Sequence, residues 1–471
     1  MFPLLMFIGA ATLAYLAATR GPRASAAVCL ALSLTVPCFT YQDVGAVRID
    51  LRTGLALVGI VCALAHPAGR LRYRPLATDF LVAGLVVVQT TSELLTSREA
   101  TATVVVDIAL QWLAPYVLGR IVWQSFDDAR PLLRPLVVAA CLLSVWSAVE
   151  SVFRFNPIGY AFGHVGSLQG MSDLRWGLRR AEGPVTHPIF FGMELLLLFP
   201  FALAAGREAR RHRGPPWWAW SPWIVAAGAF FTMSRGPQLG IVGALAGAVA
   251  LASARRRLLV VVPAVVVAVL AATSGSWIIE LFERWSGEQA HMTIEIRGVE
   301  YPYTGTRHRF LQLLVYAEAV EHAGWFGYGS TGLRAGETKI PYVEDHLRRM
   351  FNSIDNHYLQ YVLQNGLAGI GLFVGLGLAA VWYAARATFA PDNPIPWLSA
   401  ATASVLAVTL VLLSSVWLAG DVRFVWLSLV GLAGGMQLSR RAASTTAAAA
   451  ATWHSVPTHR VAGHRVLPGA G

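Results

Sequence analysis

The sequence predicts an all-α polytopic membrane protein, and three observations carry that reading. Of its 471 residues, 55% are hydrophobic and only 13% are charged, where a soluble chain places about a quarter of its residues in charge. Apolar runs close to 20 residues, the length of a membrane-crossing helix, recur along the chain. Runs such as VVVPAVVVAVLAA at 260–272 lack the alternating polarity of a membrane β-barrel. In lipid, a segment that cannot close into a barrel satisfies its own backbone only as a helix.

Taken in order, the runs fall near 2–18, 25–40, 53–68, 77–95, 103–123, 134–153, 187–205, 217–233, 236–253, 258–281, 357–384, 395–417 and 422–438. They predict about 12–13 transmembrane helices. The first run lacks a charged leading region and a small-residue cleavage site, so it reads as a span and not a signal peptide. About ten spans make an N-terminal region (1–281) and about three a C-terminal one (357–438). Between them, 282–356 is too polar for a span and too long for a connection, so it predicts a subdomain outside the membrane. The stretch 440–471, rich in Ala, Thr and Ser, reads as a disordered cytoplasmic tail.

Arginine sets the orientation. The net charge is +11, with Lys339 the lone lysine beside 36 arginines. The arginines cluster in short loops: 20 and 23; 70, 72 and 74; 207–213; 255–257; 386; 440 and 441. With these spans every such cluster falls on one side, which positive-inside counting makes the cytoplasm. The charge is therefore a topology signal, and nucleic acid is not an expected partner. The four cysteines lie in apolar runs without C-x-x-C spacing and read as small buried hydrophobes.

Polar residues at the outer ends of the spans are the candidates for chemistry. Arg235, in FTMSRGPQLG (231–240), sits between two apolar runs, on the side where a lone Arg has no topogenic use. A guanidinium held at that depth suits a lipid phosphate. His357, in SIDNHYLQYVLQNGLAGIGLF (353–373), opens a long apolar helix and is placed to act as a general base. Asp355 and Asn356 are close enough to cap that helix or orient the ring. Arg307 and Arg309 begin a helix over 304–324, with Thr306 as its expected cap and Phe310, Leu313, Leu314, Ala317 and Val320 as its expected apolar face. Arg180, Glu182 and His187 precede another span; Arg180 is a further candidate for the diphosphate, with His187 in support, and His187-Pro188 fits a helix start. The acids Glu93, Asp107, Glu150 and Glu194 fall in apolar runs and rank lower, as candidate proton relays.

The chain has no G-x-x-x-x-G-K-[ST], no D-x-D and no H-E-x-x-H. No metal site and no cofactor are expected. An outward Arg/Arg/His set without metal ligands points to a lipid diphosphate as substrate: the arginines hold the leaving group and the histidine deprotonates an acceptor hydroxyl. A transporter would instead need charges deep within spans and a repeat between halves, and no such repeat is visible.

The order of the motifs resembles a known family. RAEGPVTHP (180–188), then S-R-G (234–236), then a loop helix running from T-G-T-R to G-Y-G (304–329), then D-N-H-Y-L-Q with a glycine at 366, is similar to the O-antigen ligase and Wzy-type polymerase superfamily. The resemblance covers roughly residues 130–440. It implies a GT-C-like glycosyltransferase of the bacterial inner membrane, its site facing the periplasm. The implied donor is an undecaprenyl-diphosphate-linked oligosaccharide, and the implied acceptor is a glycan or lipid A core. Membrane lipids, and for a polymerase a chain-length regulator, are the further expected partners. By motif, Arg235 contacts the diphosphate, either Arg307 or Arg309 is the loop arginine, and His357 is the base. The R-x-x-G-x-x-x-H-P segment leans the reading toward polymerisation of O-antigen or exopolysaccharide repeat units. Ligation to lipid A core is the alternative, and a transporter of the same lipid the alternative from another class.

Overall fold

The computed structural model describes residues 2–44, 47–66, 74–96, 102–163, 174–175, 177–211, 213–253, 258, 280, 283–284, 290, 292–330, 340, 342–351 and 353–454, with side chains as far as 442. The predicted span 258–281 lies almost wholly outside the described residues, as do 455–471.

Helices form at each of the other twelve apolar runs: α1 (Phe2–Arg20), α2 (Pro22–Thr35), α3 (Leu51–Ala65), α4 (Ala77–Thr96), α5 (Ala102–Val122) and α6 (Ala129–Phe153). Beyond the short α7 (Pro157–Ala161) come α8 (Pro188–Arg210), α9 (Ser221–Phe231) and α10 (Arg235–Ala252). Three small helices follow, α11 (Gly305–Val315), α12 (Ala317–Glu321) and α13 (Asp345–Met350). The chain returns to the bundle in α14 (His357–Thr388), α15 (Pro396–Leu412) and α16 (Gly420–His454). Among the described residues eight helices are long and apolar enough to cross a membrane, and α2, α3 and α15 are shorter apolar ones. The protein is an all-α multi-pass membrane protein. Among the described residues the strands form three antiparallel hairpins in the connections: β1 (Tyr41–Val44) with β2 (Val47–Asp50), β3 (Leu174–Arg175) with β4 (Leu178–Arg179), and β5 (Met292–Ile296) with β6 (Val299–Tyr303).

Helix α8 is the axis of the bundle. It is buried nearly all round, as its apolar run without a polar face requires, and it packs on α6, α9, α10, α15 and α16. The closest crossing is α5 on α16. A Cβ on Gly119 would stand 2.0 Å from the Ser428 carbonyl oxygen, and one on Gly431 2.2 Å from that of Tyr116. Lipid gives helices no hydrophobic reason to associate, so small residues that let backbones meet take over that task.

Outside the bundle the 292–351 region has its own core. Ile294 and Ile296 of the hairpin, Leu311, Val315, Tyr316 and Ala319 of α11–α12, and Leu347 and Phe351 cover Leu359 and Leu363 at the start of α14. This corrects the expected helix face. Phe310 and Leu313 are exposed, while Leu311, Gln312, Val315 and Tyr316 are buried. The covering hairpin and α14 lie on that side, and the break at Tyr316 divides one expected helix into two. The cap also moves. Thr304, not Thr306, accepts from the Arg307 N–H at 3.0 Å.

α16 runs to His454 and so extends into the stretch expected to be disordered. The alanines of 442–451 have the highest intrinsic helix propensity and prolong a helix already nucleated by packing.

Candidate active site

His357 is the first residue of α14. Asn356 caps the helix by accepting from the Leu359 N–H at 3.1 Å. The ring is held by the turn after α15: the His357 N–H donates to the Leu413 carbonyl at 2.9 Å, and the Leu418 N–H donates to Nδ1 at 3.3 Å. Tyr361 and Phe373 pack on the ring. Nε2 is buried and has no hydrogen-bond partner among the described residues. A donor on Nδ1 leaves the proton of a neutral imidazole on Nε2.

Arg235 opens α10, and its neighbour Gly236 lies against Leu412, the residue before the carbonyl that holds His357. Arg235 and His357 are thus mounted on the same end of α15. The turn ahead of Arg235 is fixed from outside. Met233 takes a left-handed φ of 53°, rare for a side chain of its size. Arg180 donates to the Thr232 carbonyl at 3.4 Å and to Ser234 Oγ at 3.1 Å, and Arg175 donates to the Met233 carbonyl at 3.0 Å. Arg180, expected on the diphosphate, is buried and engaged on the Arg235 turn. Glu150 holds the next layer by accepting from the N–H groups of Glu182 and Gly183 at 3.0 and 2.8 Å. His187 caps α8 through the Ile189 N–H at 3.2 Å. Of the other acids, Glu93 accepts from the Ser330 N–H and Asp107 from Gln111.

The two loop arginines part company. Arg307 makes a two-point contact with Glu283, at 2.7 and 3.2 Å, which holds the Glu283 carboxyl below the usual carboxylate range. Arg309 lies 3.7 Å from Asp355, half-exposed, two residues before His357. Between them His308 stacks on Phe351 at 4.7 Å and contacts Tyr303 and Gln312. Burial lowers its affinity for a proton despite the nearby Asp355. Gln312 in turn accepts from the Asp355 N–H. The structure therefore pairs Arg309 with Asp355, two residues before His357 in the chain, and engages Arg307 elsewhere.

The glycine of the last motif has a physical cause. α14 is broken at Gly366, where φ is 65° and ψ −165°, a combination essentially confined to glycine. The break receives the Gly-rich turn 324–329. Tyr328 and Gly329 donate to the carbonyls of Leu363 and Gln364 at 2.7 and 3.0 Å, and Leu367 and Ala368 donate to those of Gly324 and Trp325 at 2.9 and 3.2 Å. This pairing docks the outer subdomain, and with it Arg309, onto the helix that begins with His357.

Sequence reasoning missed a polar cavity of about 240 Å³ beside this arrangement, lined by Asp50, Arg52, Gln111, Thr186, Asp421 and Arg423 among others. Arg52 is fully buried, 3.0 Å from Glu194 on α8, so Glu194 is half of an ion pair. Arg423 contacts Gln111. A usable signal existed: Arg52 and Arg423, like Arg235, fall on the side where positive-inside counting gives arginine no use.

Among the described residues no group of three or more His, Cys, Asp or Glu could hold a metal ion. Residues 221–374, about a third of the chain, match the family model described as O-Antigen ligase. The match bears out the resemblance over a stretch that holds Arg235, Arg309, His357 and Gly366. No curated protein matches the chain.

Proposed function

We propose that this multi-pass membrane protein, with its O-antigen ligase-type domain at 221–374, is a glycosyltransferase of the bacterial inner membrane. In this reading it moves a glycan from undecaprenyl diphosphate to an acceptor hydroxyl on the periplasmic side, polymerising O-antigen or exopolysaccharide repeat units. The observation that carries it is the common mounting of Arg235 and His357 on the end of α15, with Arg309 paired to Asp355 just ahead of His357 in the chain.

The acceptor hydroxyl gives its proton to His357 Nε2 as its oxygen bonds the anomeric carbon. The bond from that carbon to the diphosphate breaks, and the diphosphate leaves with the electron pair. Arg235 and Arg309 hold the charge that develops there. A single displacement of this kind inverts the anomeric configuration. In the resting geometry the Leu418 N–H occupies Nδ1, so the ring becomes a base at Nε2 only when it gives up that contact and carries its proton on Nδ1. Arg180, Arg175 and Glu150 position the Arg235 turn and do not touch substrate.

The test is transfer by the purified protein in nanodiscs, supplied with undecaprenyl-diphosphate-linked repeat units, with and without lipid A core and with EDTA. A ladder of longer lipid-linked glycans without core is the expected result. A single transfer only when core is present would make the protein a ligase. Unchanged donor under every condition would overturn the enzymatic reading.

A further inference from the structure

The cavity beside His357 carries chemistry that the diphosphate does not use. Its volume, about 240 Å³, falls below the roughly 300–1,000 Å³ of sites that enclose whole small molecules. It therefore takes one piece of a larger ligand. Its lining residues mix hydrogen-bond acceptors and donors: Asp50 and Asp421, Arg52 and Arg423, Gln111 and Thr186. Two carboxylates in a space this small disfavour a phosphate. Sugar hydroxyls both donate and accept, and such a mixed wall suits them.

The wall is also built, not incidental. Arg52 is fixed by Glu194 and by the Val36 carbonyl at 3.1 Å. Asp50 is fixed by the Thr53 N–H and hydroxyl at 2.9 and 2.6 Å. Asp421 is 7% exposed and accepts from Cys38 at 3.5 Å. Arg423 Nε is buried with no hydrogen-bond partner among the described residues, a donor left for a ligand. The location completes the case. Gly420 and Asp421 follow Leu418, whose N–H holds the His357 ring, and Thr186 precedes the α8 cap.

We infer that this cavity is a monosaccharide subsite, holding the sugar ring of the acceptor whose hydroxyl meets His357. The inference rests on the glycosyltransferase reading for the identity of that sugar as acceptor. Occupancy of the cavity by a sugar does not depend on it.

Cys38 lines the same cavity and serves as a reporter. The experiment uses the full chain in nanodiscs with Cys29→Ala, Cys62→Ala and Cys141→Ala, leaving Cys38 as its one thiol. A small methanethiosulfonate reagent is applied at pH 9, where a larger share of the thiol is the reactive thiolate. A lipid-free oligosaccharide of the host's own repeat unit should slow labelling several-fold, and inorganic pyrophosphate should not. Protection by pyrophosphate alone, labelling that no saccharide slows, or a thiol the reagent never reaches would each overturn the subsite.

A second measurement does not depend on the cysteine variants. Asp421→Asn and Gln111→Ala should raise the acceptor KM about tenfold or more, the loss of a hydrogen bond to a charged or buried group, with the donor KM within about twofold. A shift in donor KM instead would overturn the subsite. If the wild type transfers nothing but the saccharide protects Cys38, the sugar subsite stands and the enzymatic reading falls.

Discussion

Replacing Gly366 with alanine tests how the outer subdomain is held on the bundle. At φ 65° and ψ −165° an L-residue is strained by about 1–3 kcal/mol. Its Cβ would also stand 2.3 Å from the Trp325 carbonyl carbon and 2.4 Å from the Phe326 nitrogen, both backbone. Backbone cannot swing aside as a flexible side chain can. The cheaper relaxation is withdrawal of the 324–329 turn, with loss of four hydrogen bonds, those of Tyr328, Gly329, Leu367 and Ala368. At a net of about 0.5–1.5 kcal/mol each, the loss is about 2–6 kcal/mol. The assay is amide hydrogen exchange of the full-length protein in nanodiscs. Exchange at those four amides should accelerate by about 30-fold or more, the ratio that ~2 kcal/mol sets, while α8 stays protected. Unchanged protection in Gly366→Ala would refute the argument that this backbone contact docks the subdomain.

Other predictions follow from the same geometry. Arg309→Ala should raise the donor KM by about 10–100-fold, the loss of a charge-assisted phosphate contact, whereas Arg307→Ala should leave it near wild type. Steady-state transfer at varied donor decides between them. Arg52→Met should lower stability by about 3–5 kcal/mol by leaving Glu194 as an uncompensated buried charge, and Arg52→Met with Glu194→Leu should recover most of the loss in thermal unfolding. His308 binds a proton less readily when folded than its ordinary value near 6.5. Below that pH the unfolded chain takes up a proton that the folded chain refuses, so the outer subdomain should lose stability as pH falls from about 7 to 5. His308→Gln should flatten that profile, as read by exchange protection of α11.

Much of the bundle was legible because lipid imposes a simple rule: a run of apolar residues is a helix and its neighbours in sequence are turns. The S-R-G and N-H-Y motifs were legible for a related reason, being polar groups where the rule makes polarity costly. Packing direction was not legible. Phe310 and Leu313 have the spacing of a buried face, but a face is buried by what covers it, and the hairpin at Ile294 and Ile296 covers Leu311 and Val315 instead. The choice between Arg307 and Arg309 depended on partners 24 residues upstream and 46 residues downstream, Glu283 and Asp355. The cavity was the hardest feature to foresee, since its walls come from 38–53, 111, 186 and 420–424, brought together only by the bundle. Arg180 shows the opposite case. It had the residue type of a phosphate ligand, but the Arg235 turn, with its left-handed Met233, needs an external donor to hold its carbonyls.

The central claim is that His357 acts in the chemical step while the arginines hold the donor. The direct test measures donor binding and turnover for His357→Ala in nanodiscs, with undecaprenyl-diphosphate-linked repeat units. Donor affinity should stay within about twofold of wild type, and kcat should fall by about 10²–10⁴, the range of general-base contributions. Transfer by His357→Ala at the wild-type rate, with protein of the same purity and fold, would contradict the account.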